Sequence, residues 1–222
     1  MKKFIQFIVF SCFLSATLAA WSNSYEAFVT AVMRDDVRTL QRLAERGFDL
    51  NSMTPELQPP LVLALERDAL RVAGFLAAQP GVQLEAVNPA GENALMMAAL
   101  RGHLGLVEQL LQRRAQVNRP GWTPLHYAAT HDGPNAVAIT QRLLDEHAYI
   151  DAQSPNGSTP LMMAARYGQA RVVELLLAAG ADPDLRNQQG LDAIDFARQI
   201  DRGHVAEAIA AAIRTRRPAG RW

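Results

Sequence analysis

Two pairs of adjacent methionines, Met96-Met97 and Met162-Met163, are the residues whose type and pairing most readily suggest chemistry, since neighbouring thioethers can ligate a soft metal ion. Both pairs sit in the same stretch, LMMAA, at Leu95 to Ala99 and Leu161 to Ala165. On a helix, adjacent residues point about 100° apart, whereas metal ligands must meet within a few ångströms. The pairs therefore read as adaptable filler between packed helices. The five histidines, His103, His126, His131, His147 and His204, form no cluster with the spacing of a zinc site. No Gly-rich phosphate loop, nucleophile elbow or paired-carboxylate motif stands out, and Asp35-Asp36 and Asp145-Glu146 read as solvated charges at helix ends. The expectation is a chain without catalytic residues, metal or cofactor. An enzyme or metal-binding protein is the alternative that a metal analysis and a hydrolase screen would expose.

The elements that position these residues belong to an ordinary folded chain: 222 residues, 49% hydrophobic and 20% charged, with 22 basic and 22 acidic residues. Lys2 and Lys3 precede an apolar run from Phe4 to Ala20 broken only by Gln6, Ser11, Ser15 and Thr17, the pattern of a secretory signal peptide. Thr17 and Ala19 set cleavage before Ala20, so residues 1–19 are the expected leader; an uncleaved anchor is the alternative. Its 17 residues fall short of the ~20 that a spanning helix needs, so no stable membrane insertion is expected after cleavage. Removing the leader takes away both lysines and Cys12, leaving 20 arginines against 22 acidic residues. That balance does not suggest nucleic-acid binding, and a cysteine-free chain forms no disulfides in an oxidising compartment.

An apolar residue followed three positions later by alanine recurs at Phe28/Ala31, Leu61/Ala64, Leu95/Ala98, Leu125/Ala128, Leu161/Ala164 and Ile194/Ala197, at spacings of 33, 34, 30, 36 and 33 residues. A period near 33 is the mark of a helical solenoid, in which each unit buries its face against its neighbours.

Within one period, Gly121-Trp-Thr-Pro-Leu-His-Tyr-Ala-Ala129 and Gly157-Ser-Thr-Pro-Leu-Met-Met-Ala-Ala165 resemble the G-x-T-P-L-H-x-A-A core of ankyrin repeats. Arg101-Gly-His103 resembles the turn between the two helices, Val172 to Leu177 the second helix, and Ala179-Gly-Ala-Asp-Pro-Asp184 the exit. The resemblance implies an all-α solenoid of about six helix-turn-helix units joined by short β-hairpin loops. The repeats are read at approximately 24–56, 57–90, 91–120, 121–156, 157–189 and 190–213 within a domain of 20–216, followed by an Arg-rich tail at 214–222. Thr123 and Thr159 are expected to cap helices opening at Pro124 and Pro160. Gly102 and Gly168 are expected in left-handed turns ending first helices, and Gly91, Gly121, Gly157 and Gly190 in the hairpins. His126 fills the family's histidine position, where it bonds within the helix start and hairpin. Met96 and Met162 replace it in two repeats, which should hold their hairpins less firmly. Repeat four carries about three extra residues at His131 to Asn135, and the last repeat two before Gly203.

Ankyrin repeats similar to these bind proteins through hairpin tips and the concave face of their first helices. The resemblance places Arg34, Arg67, Arg101, His131 and Tyr167 at one exposed position of successive repeats. Three arginines there suggest a basic stripe for an acidic segment of a partner protein, although arginine is also a good helix former. Tip candidates are Asn88 and Pro89, Arg119 and Trp122, Ser154 to Asn156, and Asn187 to Gln189; an exposed tryptophan is enriched at binding hot spots, and folding back of Trp122 against the next hairpin is the equal alternative. Arg214, Arg216, Arg217, Arg221 and Trp222 form a basic end that could touch an anionic membrane surface. The expected protein is a monomeric, non-catalytic binding scaffold or inhibitor in a bacterial periplasm, with a secreted effector that binds a host protein as the alternative.

Overall fold

Pro60, Pro124 and Pro160 each occupy the first position of a short helix, where a missing amide donor costs nothing. Each is followed by apolar residues and an alanine that lie flush against the neighbouring helix. The computed structural model describes residues 23–216, and among them are twelve helices and no strand. In chain order they are α1 (23–33), α2 (Val37–Glu45), α3 (Pro60–Glu66), α4 (Leu70–Ala78), α5 (Ala94–Arg101), α6 (Leu104–Gln112), α7 (Pro124–Thr130), α8 (Ala136–Asp145), α9 (Pro160–Arg166), α10 (Ala170–Ala178), α11 (Ala193–Arg198) and α12 (Gly203–Arg216). Odd and even helices alternate as the first and second members of six pairs. The expected leader, together with Arg217, Arg221 and Trp222, lies outside the described residues. No helix among those described is long and apolar enough to cross a membrane.

The chain divides at Gln83 and Leu84 into two compact units, α1–α4 and α5–α12. In the second, α7 packs on α5 and α9, and α9 on α11. Leu95, Ala98 and Ala99 of α5, Leu125, Ala128 and Ala129 of α7, and Leu161, Ala164 and Ala165 of α9 have no exposed surface. Burying each leucine contributes about 2 kcal/mol, and the alanines let the backbones approach. Met96 and Met162 are enclosed in the same seams, at 0% and 1% exposure, which is the packing role their setting predicts. In the first unit Phe28, Ala31 and Val32 of α1 and Leu61 to Leu65 of α3 form the equivalent layer, with the Phe28 ring tilted against Phe48, centroids 4.8 Å apart.

The loops between pairs close as turns rather than as paired strands. In four of them the fourth residue donates its amide to the first: Leu57 to Thr54, Gly91 to Asn88, Gly157 to Ser154 and Gly190 to Asn187, at 2.8–2.9 Å. The glycines take the left-handed backbone expected of them, φ +76° to +81°. Leu57 takes it too, at φ +59°, where glycine would be unstrained.

The turns within pairs depart from expectation. Gly102 is left-handed as predicted, but Gly168 is not. It is required for closeness instead, because a Cβ there would run into the Ala129 carbonyl oxygen of the preceding repeat. Aspartate supplies the left-handed residue elsewhere, at Asp35, Asp68 and Asp201. In the last pair Gly203 and His204 already belong to α12, so Asp201 and not Gly203 makes the turn. The basic end is also corrected: Arg214 and Arg216 are helical, and the Arg216 guanidinium donates to the Leu177 and Ala181 carbonyls, both at 2.7 Å, at the end of α10.

Candidate protein-binding surface

The first helices of the second unit carry the site. Leu100 near the end of α5, His126, Tyr127 and Thr130 on α7, and Met163 on α9 line a recess of about 170 Å³, with Trp122 from the loop before α7 as its wall. Successive helices offer these residues together because the repeat places equivalent positions side by side.

His126 organises the wall. Its Nδ1 accepts from the Thr123 amide at 3.2 Å and the Thr123 hydroxyl at 2.9 Å, so the proton sits on Nε2, which donates to the Ser158 carbonyl at 3.0 Å. One side chain thus ties its own helix start to the next loop. Burial pushes the imidazole down to about 4, so it is neutral at physiological pH. The Trp122 ring stands edge-on to His126 at 5.2 Å and to Tyr127 at 6.3 Å, which fixes its orientation. The Tyr127 hydroxyl donates to Glu92 Oε1 at 2.9 Å; burial, and then this bond, raise its pKa. The other Glu92 oxygen accepts from the Asn88 amide at 2.8 Å.

At Met162, Sδ accepts the Thr159 amide at 3.4 Å, imitating half of what His126 does. A thioether has no proton to give, so the donor half of the latch, toward the following loop, is missing. At Met96 the helix start is held by Asn93, whose Oδ1 accepts the Met96 amide at 3.0 Å.

Four of the five residues expected at one exposed position are exposed there, at the C-terminal end of a first helix. Arg34, Arg67 and Arg101 are exposed there, Arg34 and Arg67 in the first unit and Arg101 in the second, and Tyr167 is half-exposed with the Arg166 guanidinium 5.3 Å from its ring centroid. A helix C-terminus favours cations in any case. His131 does not join them: its ring folds over Gly102 and Gly133, and its enclosed Nε2 has no hydrogen-bond partner among the described residues. Asn88 is withdrawn as a tip residue. It is 5% exposed, and its Oδ1 accepts the Ala90 and Glu92 amides, holding the turn from inside. Ser154 and Asn187 are buried for the same reason, leaving Pro89, Pro155, Asn156, Gln188 and Gln189 at the tips. Arg119 is half-buried with its guanidinium close enough to Tyr127 to act on the hydroxyl, and Trp122 beside it is half-exposed. Sequence reasoning missed the joint recess because Leu100, Thr130 and Met163 are unremarkable singly. It also missed Leu57, at 63% exposure, for which glycine at the sister loops was the available signal.

A family model for ankyrin repeats matches in three overlapping stretches, residues 73–139, 95–187 and 134–212. The chain is 33% identical over 162 residues to the ankyrin repeat protein YahD of Escherichia coli K12, covering 70% of this chain and 80% of that protein. It is 35% identical over 112 residues to the nuclear factor NF-kappa-B p105 subunit of Mus musculus, covering 49% of this chain but 11% of that one. Among solved structures it is similar to a chain in the complex of the Bd0816 predatory endopeptidase with immunity protein Bd3460 from Bdellovibrio bacteriovorus. There the TM-score is 0.70 and the identity 26%, with 83% of this chain and 97% of that chain covered.

Proposed function

The chain belongs to the ankyrin repeat family, and on that premise we propose that it is a non-catalytic, monomeric binding scaffold or inhibitor of the bacterial cell envelope. It captures a partner protein through the concave face of its first helices and its loop tips. The observation that carries this reading is the recess walled by Trp122 and Tyr127, apolar and accessible where most other large apolar residues among those described are buried. The inhibitor form draws support from the similar chain in the endopeptidase and immunity-protein complex. The envelope location is supported by Lys2, Lys3 and the apolar run to Ala20.

Crosslinking in the native compartment, followed by mass spectrometry, tests the reading. A discrete partner should be recovered from the periplasmic fraction, and the Arg67→Glu, Arg101→Glu double variant should recover several-fold less of it while unfolding at the parental temperature. Loss of the chain to the medium, or no partner at all, would overturn the proposal; undiminished recovery by the double variant would remove the arginines from it.

A further inference from the structure

We propose that the recess is an anchor pocket for one apolar side chain, of leucine or phenylalanine size, presented by an acidic segment of the partner protein. This rests on the protein-binding reading above and specifies the chemistry of what binds. About 150 Å³ is enough to hold a benzene molecule, so a recess of about 170 Å³ admits a single side chain rather than a helix or a second domain.

Its wall is built before any partner arrives. Trp122 is held edge-on by His126 and Tyr127, Tyr127 is held by Glu92, and His126 is held at both ring nitrogens. Fixed aromatic walls lower the ordering cost that binding would otherwise incur. His126 shows no ionic character to the recess, because its second nitrogen is spent on the Ser158 carbonyl.

The charges around the recess favour one kind of flank. The Arg119 charge acts on the Tyr127 hydroxyl, and Arg166 stands one helical turn beyond Met163 on α9. Arg119 Nη1 and Arg166 Nε are each enclosed without a hydrogen-bond partner, and neither arginine forms an ion pair among the described residues. Against them stands Glu92, both of whose oxygens already accept hydrogen bonds. The balance is positive, and carboxylates on either side of the anchoring residue complement it.

The test uses the chain from residue 20 to 222, labelled with fluorotryptophan, the Trp122 resonance being assigned through Trp122→Phe. Three acetylated, amidated pentapeptides are titrated by fluorine NMR: Glu-Asp-Leu-Asp-Glu, the same with central alanine, and Lys-Arg-Leu-Arg-Lys. The first should shift the Trp122 signal saturably, binding at least about tenfold more tightly than the alanine peptide, the scale set by burying a leucine side chain. The basic peptide should bind more weakly than the acidic one, and Arg119→Glu should narrow or reverse that order. No saturable shift, or equal response to all three peptides, overturns the pocket. The wider reading fails separately: a Trp122→Ala chain that crosslinks the same partner as efficiently as the parent sinks the pocket and leaves the scaffold standing.

Discussion

A single proton decides how His126 serves the fold. The unfolded chain binds that proton near the ordinary histidine value of 6.5 and the folded chain only near 4. Acid therefore draws the protein toward the unfolded state. The stability is fully present above about pH 6.5 and lost as pH falls through 4, by roughly 3 kcal/mol. His126→Met, which copies what Met96 and Met162 do naturally, loses the bond to Ser158 and should be about 1–2 kcal/mol less stable at pH 7.5. Urea midpoints measured from pH 7.5 to 4 should show the variant gaining on the parent as acid rises; parallel curves would mean that His126 is not the acid-sensitive group. Leu57 poses the opposite case, a strained residue that nothing in its own loop needs. The turn is closed by Thr54, which bonds Gln58 through both backbone and hydroxyl, and by Tyr25, whose hydroxyl donates to the Met53 carbonyl at 2.9 Å. Leu57→Gly relieves the left-handed strain, in part offset by the greater freedom of the unfolded glycine, and should raise the denaturation midpoint by up to about 1 kcal/mol equivalent. A fall would show that the leucine packs against something.

At the scale of elements, the short helices depend on one another for their ends. Arg202 donates to the Ala164, Ala165 and Gly168 carbonyls at 2.6–3.1 Å, closing the C-terminus of α9 from the following repeat. Asn135 reaches back in the same way to the Gly102 carbonyl, and Gln169 to those of Asp132 and Gly133. In the first unit Asp35 works forward, accepting the Val72 amide at 2.7 Å and capping α4. A second ladder follows the exits: Asn51, Glu85, Asn118 and Asp151 accept the amides of Gln83, Gln116, Tyr149 and Asp182. Charge-assisted bonds to carbonyls contribute about 1.5–3 kcal/mol together with what they replace. Arg202→Ala should therefore lower stability by about 2 kcal/mol, with calorimetry as the check, whereas Arg198→Ala on the exposed face of α11 should leave it almost unchanged. These helices were legible from the 33-residue period; the donors that finish them were not, because Asn135, Gln169 and Arg202 differ in type and share only a place.

For the molecule as a whole, a solenoid unit is as stable as its neighbours make it. Within the second unit α9 is packed by α7 on one side and α11 on the other, while α12 packs chiefly on α10 and α11. Amide hydrogen exchange should accordingly be slowest in α7 and α9 and fastest in α12, where Arg214 and Arg216 are held by Glu207 and by the end of α10. Uniform protection across the unit would mean that it opens in one step. Partner binding at the recess should further slow exchange in α7 and α9 and leave α12 untouched, since the recess draws on α5, α7, α9 and the loop before α7.

The amino-acid order by itself determined the family, the helix-pair architecture, the buried Leu-x-x-Ala seams and the left-handed glycines of the loops. Each of these is repeated along the chain, and repetition makes a local preference visible. For Trp122 it left exposure and folding back equally open; the side chain is half-exposed and packs edge-on against His126 and Tyr127. Only the tertiary structure decided that Asn88 is buried, that Gly168 serves close approach, that Arg216 docks on α10, and that Leu100, Trp122, Tyr127 and Met163 meet around one recess. The reason is physical. A repeat fixes which backbone positions face one another, but whether a polar side chain there turns outward or finds a carbonyl within reach depends on distances between repeats, and those are set by packing.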